Sequence, residues 1–188
     1  AGYSSGTPAL GVGAGNVVSI VDETADIADA AAKIAASKTF DNATSCSSEN
    51  AVIAVDAVYD KLVAALATQG GYCLDAAQTA HLEGIHWHNG KLTSKLLAKD
   101  IDVVLAETGF AGTAPDNTSF LVAPQSEFGP DHPMTGEKMS RFLALHRAGD
   151  FDEAMEKAVA IQNHMGAGHS LSLHSADDGR ARRLAMEA

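Results

Sequence analysis

Apolar positions along this chain come in short β-branched runs separated by stretches with a helical repeat. Asn16 to Val21 is one such run and predicts a strand buried on both faces. Asp22, Glu23 and Asp26 follow. Ile27, Ala31 and Ile34 then share one face of an Ala-rich helix running to Ser37. Acids in its first turn suit the positive end of the helix dipole. Ala51 to Val55 predicts a second strand. Asp56 can cap the helix after it, where Tyr59, Leu62, Val63 and Leu66 keep helical spacing and Gly70-Gly71 ends the run.

Weaker helices are predicted over Asp75 to Ile85, over Leu92 to Leu97, and after Asp100, where Ile101, Val104 and Leu105 align. Ser119 to Val122, Phe142 to His146, and Ser170 to His174 predict three more strands. Gln125 to Gly136 holds Gly129, Pro130 and Pro133 and reads as a loop. Asp150 can cap a helix with Ala154, Met155, Ala158 and Val159 on its apolar face. A charged helix runs from Asp177 to Ala188. Strands alternating with helices predict an α/β fold in three layers, with a mainly parallel sheet of about five strands and right-handed crossovers.

The 188 residues suffice for one domain with a real core. Acids outnumber Lys and Arg, 24 to 13, for a net charge of −11. That balance argues against duplex nucleic acid, which needs a basic face. No apolar run approaches the ~20 residues of a membrane span, and no signal segment opens the chain. Two cysteines, Cys46 and Cys73, are too few for a disulfide framework and point to a reducing cytoplasm. The chain starts at Ala1 without Met and closes on a helix, which reads as a fragment.

Candidate chemistry sits in the loops. Gly11 to Asn16 resembles the start of a dinucleotide loop, but a strand follows it where a phosphate loop opens a helix, so a tight turn is favoured. Cys46 has small, mostly polar neighbours. That suits an accessible thiol, a nucleophile or an inert loop cysteine. Cys73, after Gly70-Gly71-Tyr72, reads as structural. His81, His86 and His88 are surface or interface histidines by spacing; only His86 and His88 fit a ribbon-type metal pair. His169 follows the Gly166-Ala167-Gly168 turn, where it is an acid/base or a satisfied turn histidine. Glu137, alone, is a solvated acid.

Four segments taken together resemble the CoA-acylating branch of the aldehyde dehydrogenase superfamily. They are Ser4 to Asn16, Ser37 to Glu49, His132-Pro133 with Glu137 to Ser140, and Gly166 to Ser170. The wording around Cys46 also resembles the acylating sulfoacetaldehyde subgroup. The resemblance runs from Ser4 to Ser175. It implies the catalytic-domain fold of that superfamily over residues 1–188, with the nucleotide-binding domain absent from this chain. It implies NAD(P)-dependent oxidation of a small aldehyde to an acyl-CoA, with NAD or NADP as cofactor and coenzyme A as cosubstrate. Cys46 matches the nucleophile that carries the thioester, His169 an acid/base, and Glu137 the acid that binds the nicotinamide ribose. Ala9 stands where hydrolytic members have a Glu that activates water. Arg141 stands after Ser140 where the family usually has Pro. No metal is implied, and the intact protein is expected to be a homo-oligomer. An isolated fragment is expected to be inactive. Two other readings stay open: a Cys-His acyltransferase or hydrolase on Cys46 and His169, and a metal-binding or interaction module on the His81–His88 cluster.

Overall fold

The computed structural model describes residues 3–10 and 13–187. Six parallel strands form the main sheet: β1 (Val17–Val21), β2 (Glu49–Val55), β3 (Gly71–Cys73), β6 (Phe120–Gln125), β7 (Phe142–Ala148) and β8 (Leu171–His174), in the order β3-β6-β7-β2-β1-β8. A two-stranded antiparallel hairpin, β4 (Trp87–His88) and β5 (Lys91–Leu92), stands apart from it. The helices are α1 (Ile27–Thr39), α2 (Asp56–Thr68), α3 (Ala76–His86), α4 (Ile101–Thr108), α5 (Phe151–His164) and α6 (Asp178–Glu187).

The apolar runs explain the order. β1 and every residue of β2 from Asn50 on are buried, as expected of central strands covered on both faces. Helix α1 packs on α2, and α5 lies against β1, β2 and β7. Two apolar clusters result. The larger joins β1, β2, α1, α2 and α5; the smaller gathers Leu82, Leu96, Val104, Leu121 and Phe142 around α3 and α4.

Periodicity places the long elements correctly and misses short ones. Gly71–Cys73 is a sixth strand, hidden because Gly71 reads as a stop signal. A Cβ on Gly71 would lie 2.8 Å from Phe120 Cζ, so the glycine lets the edge strand meet its neighbour. The segment Leu92 to Leu97 is not a helix. Leu92 ends the hairpin strand β5 and the rest is turn, with Leu96 alone buried. The Asn89-Gly90 turn, both residues at positive φ, was the available signal for that hairpin. No helix among the described residues is long and apolar enough to cross a membrane.

Two histidines are locked in the interior. His86 is fully buried, which corrects its reading as a surface residue. Burial holds the His86 imidazole down to about 4, and burial with the nearby Lys138 and Lys157 charges holds His146 down to about 3. Both are neutral in the fold, while the unfolded chain takes up their protons near 6.5. Their stability contribution is full above about pH 6.5 and is lost as pH falls toward 4 and 3, on the order of 3 kcal/mol for His86 and 5 kcal/mol for His146. Thermal unfolding from pH 7.5 to 4.5 is expected to show a falling Tm, and His146→Phe to flatten the fall. An unchanged slope in that variant contradicts it.

Candidate active site

Four loops enter neighbouring strands from one side. Residues 13–16 lead into β1, 44–48 into β2, 136–141 into β7 and 165–170 into β8. In a parallel sheet ordered β7-β2-β1-β8, those loops lie side by side at the amino ends of the strands. They belong to the four segments singled out in the sequence. Open α/β sheets usually bind ligands outside the carboxyl ends. Here the carboxyl ends hold Arg147, ion-paired with Asp56 at 3.2 Å and Asp60 at 3.0 Å and stacked over Tyr59. Arg147 is thereby separated from Arg141, which lies among the entry loops.

The loop carrying Cys46 has an unusual start. Asp41, Asn42 and Ala43 are consecutive left-handed residues, with φ of 47°, 52° and 57°. Each costs about 1–2 kcal/mol outside glycine. Side chains hold the turn. Thr44 Oγ1 donates to Asp41 O at 2.7 Å and to Asp41 Oδ2 at 2.6 Å. Asn42 Nδ2 donates to Asp100 Oδ1 at 2.9 Å, and Arg141 Nε donates to Asn42 Oδ1 at 2.7 Å. The chain then turns again, with Ser48 N–H donating to Ser45 O at 3.0 Å. Cys46 sits at the tip of that turn, free and exposed. Gly15 lies directly against it: a Cβ on Gly15 would be 2.7 Å from Cys46 Cβ and 2.8 Å from Cys46 O.

Asn16, fully buried, ties two of the other loops together. Its Nδ2 donates to Thr135 O at 2.8 Å and to Met165 O at 3.0 Å. Gly166, at φ +101°, presses on the same residue; a Cβ there would be 2.8 Å from Asn16 Cβ. Glu137 is half-buried, and its N–H points at Met165 Sδ, 3.4 Å away. It lines a cleft of about 390 Å³ with Ala14, Trp87, Pro133, Gly136 and Met165. Lys138 beside it is fully buried and donates through Nζ to Met134 O at 2.6 Å and Gly136 O at 2.9 Å. Burial, with the nearby Lys38 charge, drives its ammonium well below the usual lysine range. Lys38, also buried, donates to Glu49 O at 2.9 Å, and burial lowers it to about 7. Nothing in local composition marks either lysine as internal.

His169 stands at the entry to β8, where its N–H closes the glycine turn on Gly166 O at 2.9 Å. Its Nδ1 is buried with no hydrogen-bond partner among the described residues. It lines a cleft of about 350 Å³ with Gln162, Leu171, Leu173 and Leu184, and Cys46 is not among the residues of that cleft. The histidine cluster does not converge. His86 Nε2 meets Lys138 O at 2.7 Å inside the fold, His81 lies against Phe110, and His88 is exposed. Cys73 is half-buried, and burial pushes its thiol up. Ala9 is exposed; Gly11 and Val12, inside the predicted glycine turn, lie outside the described residues.

No protein-family model matches the chain. Sulfoacetaldehyde dehydrogenase (acylating) of Cupriavidus necator is 45% identical over 185 residues, 98% of this chain and 38% of that protein. An acetylating aldehyde dehydrogenase from Geobacillus thermoglucosidasius superimposes with a TM-score of 0.90 at 35% identity, over 98% of this chain and 40% of that one. Over nearly its whole length this chain is similar to part of the acylating aldehyde dehydrogenases. It spans only about 38% of the length of that curated relative. Two further similar solved structures carry ligands. A Rhodopseudomonas palustris propionaldehyde dehydrogenase, 27% identical with a TM-score of 0.82 over 98% of this chain and 41% of that one, holds CoA and an acylated cysteine. An engineered glycolyl-CoA reductase, 28% identical with a TM-score of 0.84 over the same shares, holds NADP+. The acylating-dehydrogenase likeness thus covers the sheet and all four entry loops.

Proposed function

We propose that the protein containing this chain oxidises an aldehyde to an acyl-CoA, and that these residues form its cysteine-bearing catalytic domain. One observation carries the reading: an exposed thiol, Cys46, stands on a braced turn packed against Gly15, in one of four loops that enter adjacent strands. The likeness to acylating enzymes over 98% of the chain supports it.

The residues of the Glu137 cleft, which Ala14 lines and Cys46 does not, fit a nicotinamide nucleotide. The cleft beside Gly15 offers the Glu137 carboxylate as an acceptor for ribose hydroxyls, with Trp87, Pro133 and Met165 as apolar walls. When bound, that cofactor accepts the hydride. The chain's own residues do the rest. Cys46, as thiolate, attacks the aldehyde carbon and forms a C–S bond. Loss of hydride from that carbon leaves a thioester on Cys46. The CoA thiol then attacks, the bond to Cys46 breaks, and the thiolate returns. In sum, aldehyde, CoA thiol and oxidised nicotinamide give acyl-CoA, reduced nicotinamide and one proton. Ala9 carries no base that could activate water, which leaves the thioester to the thiol. His169 is assigned the proton traffic of the incoming CoA thiol. Its Nδ1, without a hydrogen-bond partner among the described residues, speaks against a hydrolase built on Cys46 and His169 alone, which needs an orienting group there. A two-carbon sulfonated aldehyde is the proposed substrate, with Arg141, at the entry to β7 and donating to Asn42, as the proposed cation for its sulfonate.

Nicotinamide reduction by the full-length protein, with and without CoA, tests this. Steady turnover is expected only with CoA, and sulfoacetaldehyde is expected to lead a panel of short aldehydes. Sustained release of free acid without CoA contradicts the acylating route.

A further inference from the structure

Asn50 occupies a position that the reaction above does not use. The β1–β2 register passes from Val17 opposite Glu49 to Val18 opposite Ala51, so Asn50 is the extra residue of a bulge. A bulge re-aims a side chain, and bulges gather beside active sites. Here the carboxamide turns into the protein interior, 3% exposed. Its Nδ2 donates to Gly15 O at 2.9 Å and to Ser48 O at 3.2 Å. Its Oδ1 accepts from Lys138 N–H at 2.8 Å. Both amide protons and one oxygen site are therefore engaged.

Those three partners belong to three of the four entry loops. Gly15 is the residue packed against Cys46, Ser48 closes the turn that presents Cys46, and Lys138 follows Glu137. We infer that Asn50 is the positioning residue that fixes Cys46 against the Gly15 turn and holds the Glu137 loop at a set distance from the thiol. This inference rests on Cys46 being the nucleophile. Because the donor half of the amide serves the thiol and the acceptor half serves the Glu137 loop, the two functions can be separated by substitution. Asn50→Asp keeps the size and the acceptor for Lys138 N–H, and loses the two donors. Asn50→Ala loses everything.

The test uses full-length protein and four readouts: kcat, KM for the nicotinamide cofactor, the pH profile of Cys46 alkylation by iodoacetamide, and Tm. Misplacing a reacting group by about 1 Å costs up to about 100-fold. Asn50→Asp is expected to lower kcat about tenfold or more, slow alkylation and shift its pH profile, with cofactor KM within about twofold of wild type. Asn50→Ala is expected to lose kcat and raise cofactor KM together. If a folded variant keeps kcat and the alkylation profile within about twofold of wild type, the inference falls. It falls equally if both variants fail to fold, since Asn50 then serves the fold. Cys46→Ala run alongside separates the two levels: full turnover in that variant removes the nucleophile reading itself, whatever Asn50 does.

Discussion

Cys46→Ala in the full-length protein is expected to lower nicotinamide reduction by at least about 1,000-fold, because it removes the atom that forms the covalent bond. The fold should not notice. Cys46 is exposed at a turn tip, and Ala is smaller and keeps the Cβ that faces Gly15. Surface changes of that kind stay within about 0.5 kcal/mol. Tm and cofactor affinity are therefore expected to stay near wild type while turnover disappears. Cys46→Ser is expected to be nearly as poor, since a hydroxyl is a weaker nucleophile and its ester a poorer donor to a thiol. Steady-state rates and a melting curve on the two variants check this. Activity within about tenfold of wild type in Cys46→Ala contradicts the assignment.

Gly15→Ala carries the second largest expected effect. The added Cβ would meet Cys46 Cβ at 2.7 Å and Cys46 O at 2.8 Å, and one of the contacts is backbone that cannot swing aside. The φ of Gly15 is not in the left-handed region, so the cost is crowding and not conformation. The loop 44–48 must shift to admit the methyl group, and the thiol shifts with it. Shifts near 1 Å cost up to about 100-fold in rate, and overpacking costs about 1–3 kcal/mol of stability. Gly15→Ala is therefore expected to lose one to two orders of magnitude in kcat while remaining folded at 25 °C. The neighbouring Gly13, whose Cβ would meet nothing within 4 Å, is the control: Gly13→Ala is expected to be close to neutral. Equal effects at the two glycines contradict this.

Much of the fold was legible. Runs such as Ala51–Val55 and Phe142–His146 are buried on both faces in the structure, as their unbroken apolar pattern requires. The strand Gly71–Cys73 and the hairpin at Trp87–Leu92 are too short to show a period. Gly70-Gly71 marked the first as a break, although tertiary pairing made it a strand, and the Asn89-Gly90 turn was the one local sign of the hairpin. The candidate site was legible as separate loop motifs, and its grouping was not. Strand order decides which loops become neighbours, and order is a property of long-range pairing. The bracing roles of Asn16, Asn50, Lys38 and Lys138 were not legible for a related reason. Their types usually face solvent, and only the assembled loops give their polar atoms buried partners. The left-handed run Asp41-Asn42-Ala43 had a partial signal in Asp and Asn, the residues that tolerate it best after glycine.

The central claim is a covalent bond at one sulfur. Full-length protein incubated with aldehyde and oxidised nicotinamide, without CoA, then digested and read by mass spectrometry, tests it directly. An acyl group on the peptide bearing Cys46, removed on adding CoA, is the predicted result. An acyl group on Cys73 or on no cysteine, with nicotinamide nevertheless reduced, contradicts it.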